Sequence, residues 1–264
     1  METSERPRPS PPPPAPGWTD TWALFLDVDG SLLDFALDPN GVVTPEGLQR
    51  DIATLHVALD GAVALVSGRA IDAIDDVLGA LRQVPAAGLH GLERREAGGA
   101  YFAPPPAPDA LDAVHAEAQH VAVAFPGAVA ERKGPNLALH WRAAPEAQDA
   151  FRAFAAAALR LLPEYRVQAG DHVLELRPGG ESADKGTAVE AFLQQAPFRG
   201  RRPVFVGDDL TDEHAFAVVN ARDGISILVG DRDASVARWQ LANPTAVRAW
   251  LHALATATAT GVHA

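Results

Sequence analysis

The sequence predicts an α/β protein, a doubly wound parallel sheet with helices on both faces, interrupted by an inserted α+β module. Three observations carry this expectation. Short apolar runs stop abruptly at polar residues, helical patterns with recognisable start signals lie between those runs, and a middle segment of different texture separates the first two runs from the last two.

In chain order, residues Met1 to Gly17 hold acidic and basic residues and the run Pro11 to Pro14 but no apolar stretch of a secretory signal, so they read as a disordered, polyproline-like tail. The first apolar run, Trp22-Ala-Leu-Phe-Leu26, ends at Asp27; continuous rather than alternating apolar character indicates a strand covered on both faces. Thr44-Pro45-Glu46 predicts a helix start, with Thr44 as N-cap and Pro45 at the first helical position, followed by Leu48, Ile52, Leu55 and Leu59 at helical spacing. A second strand, Ala62 to Val66, ends at Ser67, and a helix over 70–81 follows. Helical patterns at 108–124 and 145–162 and hairpin-like segments at 128–142 and 165–177 make up the middle module. Beyond it come a helix over 184–195, a strand Pro203 to Val206 ending at Gly207-Asp208, a helix over 211–219, a strand Ile225 to Val229, and helices over 234–241 and 245–255. The expected division is a tail at 1–17, a core at 18–92 and 177–264, and an insert at 93–176.

The chain has 264 residues, 22 Lys plus Arg against 34 Asp plus Glu, a formal charge of −12 and no cysteine. Such an acidic surface disfavours nucleic acid and anionic membrane as partners. The absence of cysteine excludes disulfides, thiolate catalysis and cysteine-ligated metals, and fits a cytoplasmic location. The most apolar later stretch, Phe151 to Leu162, is broken by Arg152 and Arg160 and is too short to span a bilayer.

In an open α/β sheet, ligands bind at the carboxyl ends of the strands, which here carry Asp27, Asp29, Ser67, Asp208 and Asp209. Carboxylates gathered in one crevice repel one another unless a cation neutralises them, and a hard divalent ion such as Mg²⁺, which shares a substrate's phosphate, suits a site with few protein oxygens. Each motif alone has a plainer reading. Asp27-Val28-Asp29-Gly30 resembles a solvated turn; Ser67-Gly68-Arg69 is a passable helix cap. The calcium EF-hand is excluded because Leu32 and Asp38 stand where its Gly and Glu are required. An acidic cap explains Thr211, Asp212 and Glu213, but not two adjacent Asp residues directly after a buried strand. Lys185 sits in the first turn of its predicted helix, where its charge opposes the helix dipole and a substrate anion would offset it.

Taken together, Asp-x-Asp-Gly at 27–30, Ser-Gly-Arg at 67–69, Lys-Gly at 185–186 and Gly-Asp-Asp at 207–209 resemble the haloacid-dehalogenase superfamily of phosphatases. Within it the chain is most similar to trehalose-6-phosphate phosphatases, through Gly88-Leu-His90-Gly91-Leu-Glu93, Glu131-Arg132-Lys133-Gly134, Leu139-His140-Trp141-Arg142, Glu175-Leu-Arg177-Pro178 and Gly207-Asp-Asp-Leu-Thr-Asp-Glu213. The resemblance runs from about Trp22 to Val229. It implies a Mg²⁺-dependent phosphatase in which Asp27 attacks phosphorus and Asp29 acts as acid and then base. Mg²⁺ would be held by the Asp27 carboxylate, the Asp29 backbone carbonyl and Asp208. Ser67 and Lys185 would bind the transferring phosphoryl group, and Asp209 and Asp212 would orient the ligands from behind. The inserted module would be a cap closing over the site, with Arg132, Lys133, Glu175 and Arg177 as candidate sugar contacts and Gly68, Arg69 and His90 lining the substrate site. Glu175 and Arg177, two apart on a strand, would face the same side.

Two positions depart from the pattern: Ser31 stands where Thr is usual, and Trp141 where Tyr is usual. Trp141 puts the details of sugar recognition in question. A phosphatase for sucrose phosphate or another glycosyl phosphate shares the core motifs. A phospho-accepting receiver domain shares the sheet and the acidic cluster but needs neither Asp29 nor an insert. A non-catalytic sugar-phosphate binder is disfavoured by the intact set Asp27, Asp29, Lys185 and Asp208.

Overall fold

A computed structural model of the chain describes residues 11–13, 21–34, 43–170, 172–179, 183–232 and 234–259. Apart from Pro11, Pro12 and Pro13, the expected tail lies outside the described residues.

Five strands of the larger sheet follow from the buried apolar runs: β1 (Trp22–Leu26), β2 (Val63–Val66), β3 (Ala86–Gly88), β10 (Arg202–Gly207) and β11 (Ile225–Val229). With β4 (Glu93–Arg95), β5 (Tyr101–Phe102) and β12 (Trp239–Leu241) they form one eight-stranded sheet in the order β12-β11-β10-β1-β2-β3-β4-β5. Pairing is parallel from β12 to β3 and antiparallel beyond. β1 lies between β10 and β2, so the strand order reverses there, and the residues just past β1 and β10 face the crevice where such sheets bind ligands.

The flanking helices are α1 (Leu48–Ala58), α2 (Ile71–Val77), α5 (Lys185–Leu193), α6 (Glu213–Asn220) and α7 (Pro244–Ala259). Their apolar stripes close one core around β1, with Phe25 against Phe192 and Phe198. α5 begins at a capping box: Asp184 Oδ1 accepts from Thr187 N at 2.8 Å, while Asp184 N donates to Thr187 Oγ1 at 3.0 Å.

The second sheet is antiparallel, in the order β6 (Val129–Lys133), β7 (Asn136–His140), β9 (Val173–Pro178) and β8 (Tyr165–Gly170). Side chains alternate across it. Leu137, Leu139, Leu174 and Leu176 join residues of α3 (Ala110–Val123) and α4 (Gln148–Ala158) in a separate apolar core. The intervening positions Asn136, His140, Glu175 and Arg177 take the other face.

Three expectations are corrected. The first helix starts at Leu48, because Gly47 adopts a left-handed φ of 82° that breaks the turn begun at Pro45; Thr44 Oγ1 instead donates to Val77 O at 2.6 Å. No helix covers 234–241 among the described residues. Trp239–Leu241 extend the sheet beside β11, and Arg238 N donates to Ser226 Oγ at 3.0 Å. The expected insert boundary at Glu93 also shifts, since 93–95 and 101–102 continue the large sheet through antiparallel pairing with β3. No described helix is long and apolar enough to cross a membrane.

Candidate active site

Asp27 leaves β1 and is 3% exposed; Oδ1 accepts a hydrogen bond from Lys185 Nζ at 2.6 Å and Oδ2 from Ser31 Oγ at 3.2 Å. Lys185, at the start of α5, also donates to Asp212 Oδ1 at 2.7 Å. Its charge near the helix N-terminus is thus offset by two carboxylates within the chain itself. Burial opposes the Lys185 ammonium, yet Asp212 and Asp27 together push its pKa above the usual lysine value. Ser31 keeps the hydroxyl expected there and reaches Asp208 Oδ1 at 3.3 Å as well.

Asp212 was expected to stand behind the ligands. The structure brings it into their cluster: one oxygen each from Asp27, Asp208 and Asp212 lie within 4.8 Å of one another. The second oxygen of Asp212 accepts from Asp208 N at 2.9 Å and Asp209 N at 2.8 Å, which fixes the loop after β10. Gly207 is needed for that approach, because a Cβ there would lie 2.4 Å from Asp212 Cγ. Burial, the Asp212 and Asp208 charges all raise the pKa of Asp27 well above a normal carboxyl, with Lys185 opposing. Burial and Asp212 push Asp208 up to about 7. Three carboxylates against one ammonium leave an excess of negative charge among hard oxygen donors, and a divalent cation fits that donor set.

Asp29, two residues on, is held by Arg69, whose Nε and Nη2 donate to Oδ2 and Oδ1 at 2.7 Å each. This bidentate pair was not foreseen; the sequence assigned Arg69 to substrate. Ser67 is buried at the end of β2, and its Oγ accepts from Arg69 N at 3.1 Å. At the start of α2, Ile71 N donates to Glu93 Oε1 at 2.6 Å. Gly68 lies against His90, where a Cβ would meet Cε1 and Nε2 at 2.7 Å.

A cavity of about 170 Å³ opens above these groups, bounded on the core side by Asp27, Asp29, Ser67, Gly68, Arg69, His90 and Lys185, and on the other by the polar face of the second sheet. Glu175, also lining it, is 6% exposed; Oε2 lies 3.2 Å from His90 Nε2 and Oε1 accepts from Asn136 Nδ2 at 3.0 Å. Burial alone would raise the Glu175 pKa, but His90 holds it down to about 2. Lys133 lines the cavity beside Glu131, whose Oε2 also meets His140 Nε2 at 3.0 Å. Asp209 and Thr211 reach the cavity from the loop after β10.

Arg132 and Arg177 are not brought to the cavity. Arg132 points to the outer side, bonding Gly134 O at 2.7 Å and Asp112. Arg177 is fully buried and reaches Gln168, Leu89 O and Ala183 O. Trp141 packs on Phe151 inside the apolar core of the second module, so its replacement of Tyr is a packing matter rather than a change in the cavity wall. Sequence reasoning missed His140 and Gln168 as lining residues; alternation along the hairpins, which puts them on the same face as Glu175, was the available signal.

Residues 25–245 match the family described as trehalose-phosphatase. The chain is 41% identical over 243 residues to a trehalose-6-phosphate phosphatase of Escherichia coli (strain K12), covering 92% of this chain and 90% of that protein. It is 40% identical over 238 residues to a probable trehalose-phosphate phosphatase of Sinorhizobium fredii, covering 89% and 88%. The solved C-terminal domain of the C. albicans trehalose-6-phosphate phosphatase shares the fold, with a TM-score of 0.79 at 21% identity over 94% of this chain and 98% of that one.

Proposed function

The chain belongs to the trehalose-phosphatase family and hydrolyses trehalose 6-phosphate to trehalose and phosphate, and we propose that it does so by attack of Asp27 on phosphorus. The observation that carries this reading is the meeting of Asp27, Lys185, Asp208 and Asp212 at the strand-order reversal, beneath a cavity walled by a polar sheet.

In the first half-reaction, Asp27 bonds to phosphorus as the bond to the sugar oxygen breaks. Asp29, with one oxygen released from Arg69 and protonated, delivers that proton to the leaving oxygen, and trehalose departs. In the second half-reaction Asp29 takes a proton from water, whose oxygen attacks the aspartyl-phosphate, and phosphate leaves with Asp27 restored. Lys185 and the Ser67 hydroxyl hold the phosphoryl oxygens, Ser31 keeps the Asp27 carboxylate turned, and Arg69 fixes the direction of Asp29. The residues that would hold Mg²⁺ are Asp27, Asp208 and Asp212, together with the Asp29 carbonyl expected from the resemblance. When bound, Mg²⁺ supplies neutralisation of the carboxylates and of the charge on the phosphoryl oxygens.

The four-stranded module acts as the cap, with Lys133, Glu175, His140 and Gln168, and His90 from the core, as the groups facing the sugar hydroxyls. Lys133, Lys185 and Arg69 place positive charge around this cavity, which answers how an anionic substrate enters a protein of formal charge −12. The test is a panel of phosphate esters assayed for phosphate release in Mg²⁺. Trehalose 6-phosphate is expected to have the highest kcat/KM; preference for sucrose phosphate would overturn the reading of the cap.

A further inference from the structure

We propose that Arg177 is a positioning residue that seats the second module on the core and holds Gln168 in the sugar-facing wall. The proposal rests on the reading of that module as the part that recognises the sugar.

Arg177 is completely buried, and its three hydrogen bonds all go to neutral oxygens: Gln168 Oε1 at 2.8 Å, Ala183 O at 2.8 Å and Leu89 O at 3.3 Å. A buried charge without a carboxylate bonded to it is costly to keep, and a planar guanidinium is the side chain able to spread several donors over separate acceptors. Those acceptors are not equivalent. Gln168 is on the neighbouring strand and lines the cavity, whereas Leu89 and Ala183 belong to the core.

The core acceptors adjoin the catalytic groups. Ala183 precedes the cap residue of α5, which opens with Lys185. Leu89 and His90 form a turn with left-handed φ of 51° and 54°, a conformation that non-glycine residues keep only when the surroundings enforce it. That turn braces the Ser67-Gly68-Arg69 loop: Leu89 N donates to Arg69 O and His90 N to Ser67 O, both at 2.9 Å. Strand β9 therefore grips this turn twice, through Glu175 on His90 and through Arg177 on Leu89. The second grip places the strand; its bond to Gln168 passes the placement to a residue in contact with the cavity.

The experiment compares wild type, Arg177→Lys, Gln168→Ala and the double variant on trehalose 6-phosphate and on p-nitrophenyl phosphate, which has no sugar. Arg177→Lys keeps the charge but not the fork. It is expected to raise KM for trehalose 6-phosphate about tenfold, the scale of a lost hydrogen bond, with kcat little changed and kcat/KM for the aryl ester retained. Gln168→Ala is expected to give a similar KM rise, and the double variant to be no worse than either single one. An unchanged KM in Arg177→Lys, an equal loss on both substrates, additive effects, or failure of Arg177→Lys to fold would each overturn the proposal. Failure of the sugar-recognition reading itself would show earlier, as wild-type protein with equal kcat/KM on the two substrates.

Discussion

Arg69 grips both carboxylate oxygens of Asp29, at 2.7 Å each, and so places the carboxyl group proposed to serve the leaving oxygen once one of these bonds opens. A proton donor works only from a narrow range of positions. Arg69→Ala is therefore expected to lower kcat for trehalose 6-phosphate by about 10- to 100-fold, with Arg69→Lys intermediate. Steady-state kinetics check this, and an unchanged kcat in Arg69→Ala would contradict it.

The surplus of carboxylates around Lys185 predicts that a divalent cation stabilises the fold. Mg²⁺ at 100 times its dissociation constant is expected to stabilise the wild-type protein by about 2.7 kcal/mol, read as a rise in Tm. Asp208→Asn, which removes one charge from the cluster, is expected to show a smaller rise at the same Mg²⁺ concentration. Identical shifts in the two proteins would remove Asp208 from the cation site.

Glu175 predicts a pH dependence of stability. Its folded pKa of about 2 lies below its ordinary value of 4.5, so its stabilising contribution is complete above about pH 4.5 and is lost as pH falls towards 2. The Tm difference between wild type and Glu175→Gln is expected to shrink as pH falls from about 4.5 towards 2. A difference that stays constant down to pH 3 would contradict the contact with His90.

The core site was largely legible because its residues are fixed by position on a sheet. A buried run that stops at Asp27, Ser67 or Asp208 places those residues at the carboxyl ends of parallel strands whatever the details between them. Contacts that depend on which side chain turns toward which were not legible. Nothing local marks Arg69 as the partner of Asp29, 40 residues earlier in the chain, or Arg177 as bonded to Leu89, 88 residues earlier. β12 was mistaken for a helix because an edge strand with apolar residues at 239 and 241 is too short for period to decide. Trp141 was taken to bear on sugar recognition because it stands where Tyr is usual, yet it packs on Phe151 in the apolar core of the second module, and nothing local in the sequence marks that placement.

The measurement that bears most directly on Asp27 as nucleophile is phosphate release from trehalose 6-phosphate, in Mg²⁺, by wild type and Asp27→Asn, with unfolding of both followed in parallel. Wild type is expected to turn over, and the variant to lose at least about a thousandfold in kcat while still unfolding cooperatively. Turnover by folded Asp27→Asn at the wild-type rate would contradict the assignment.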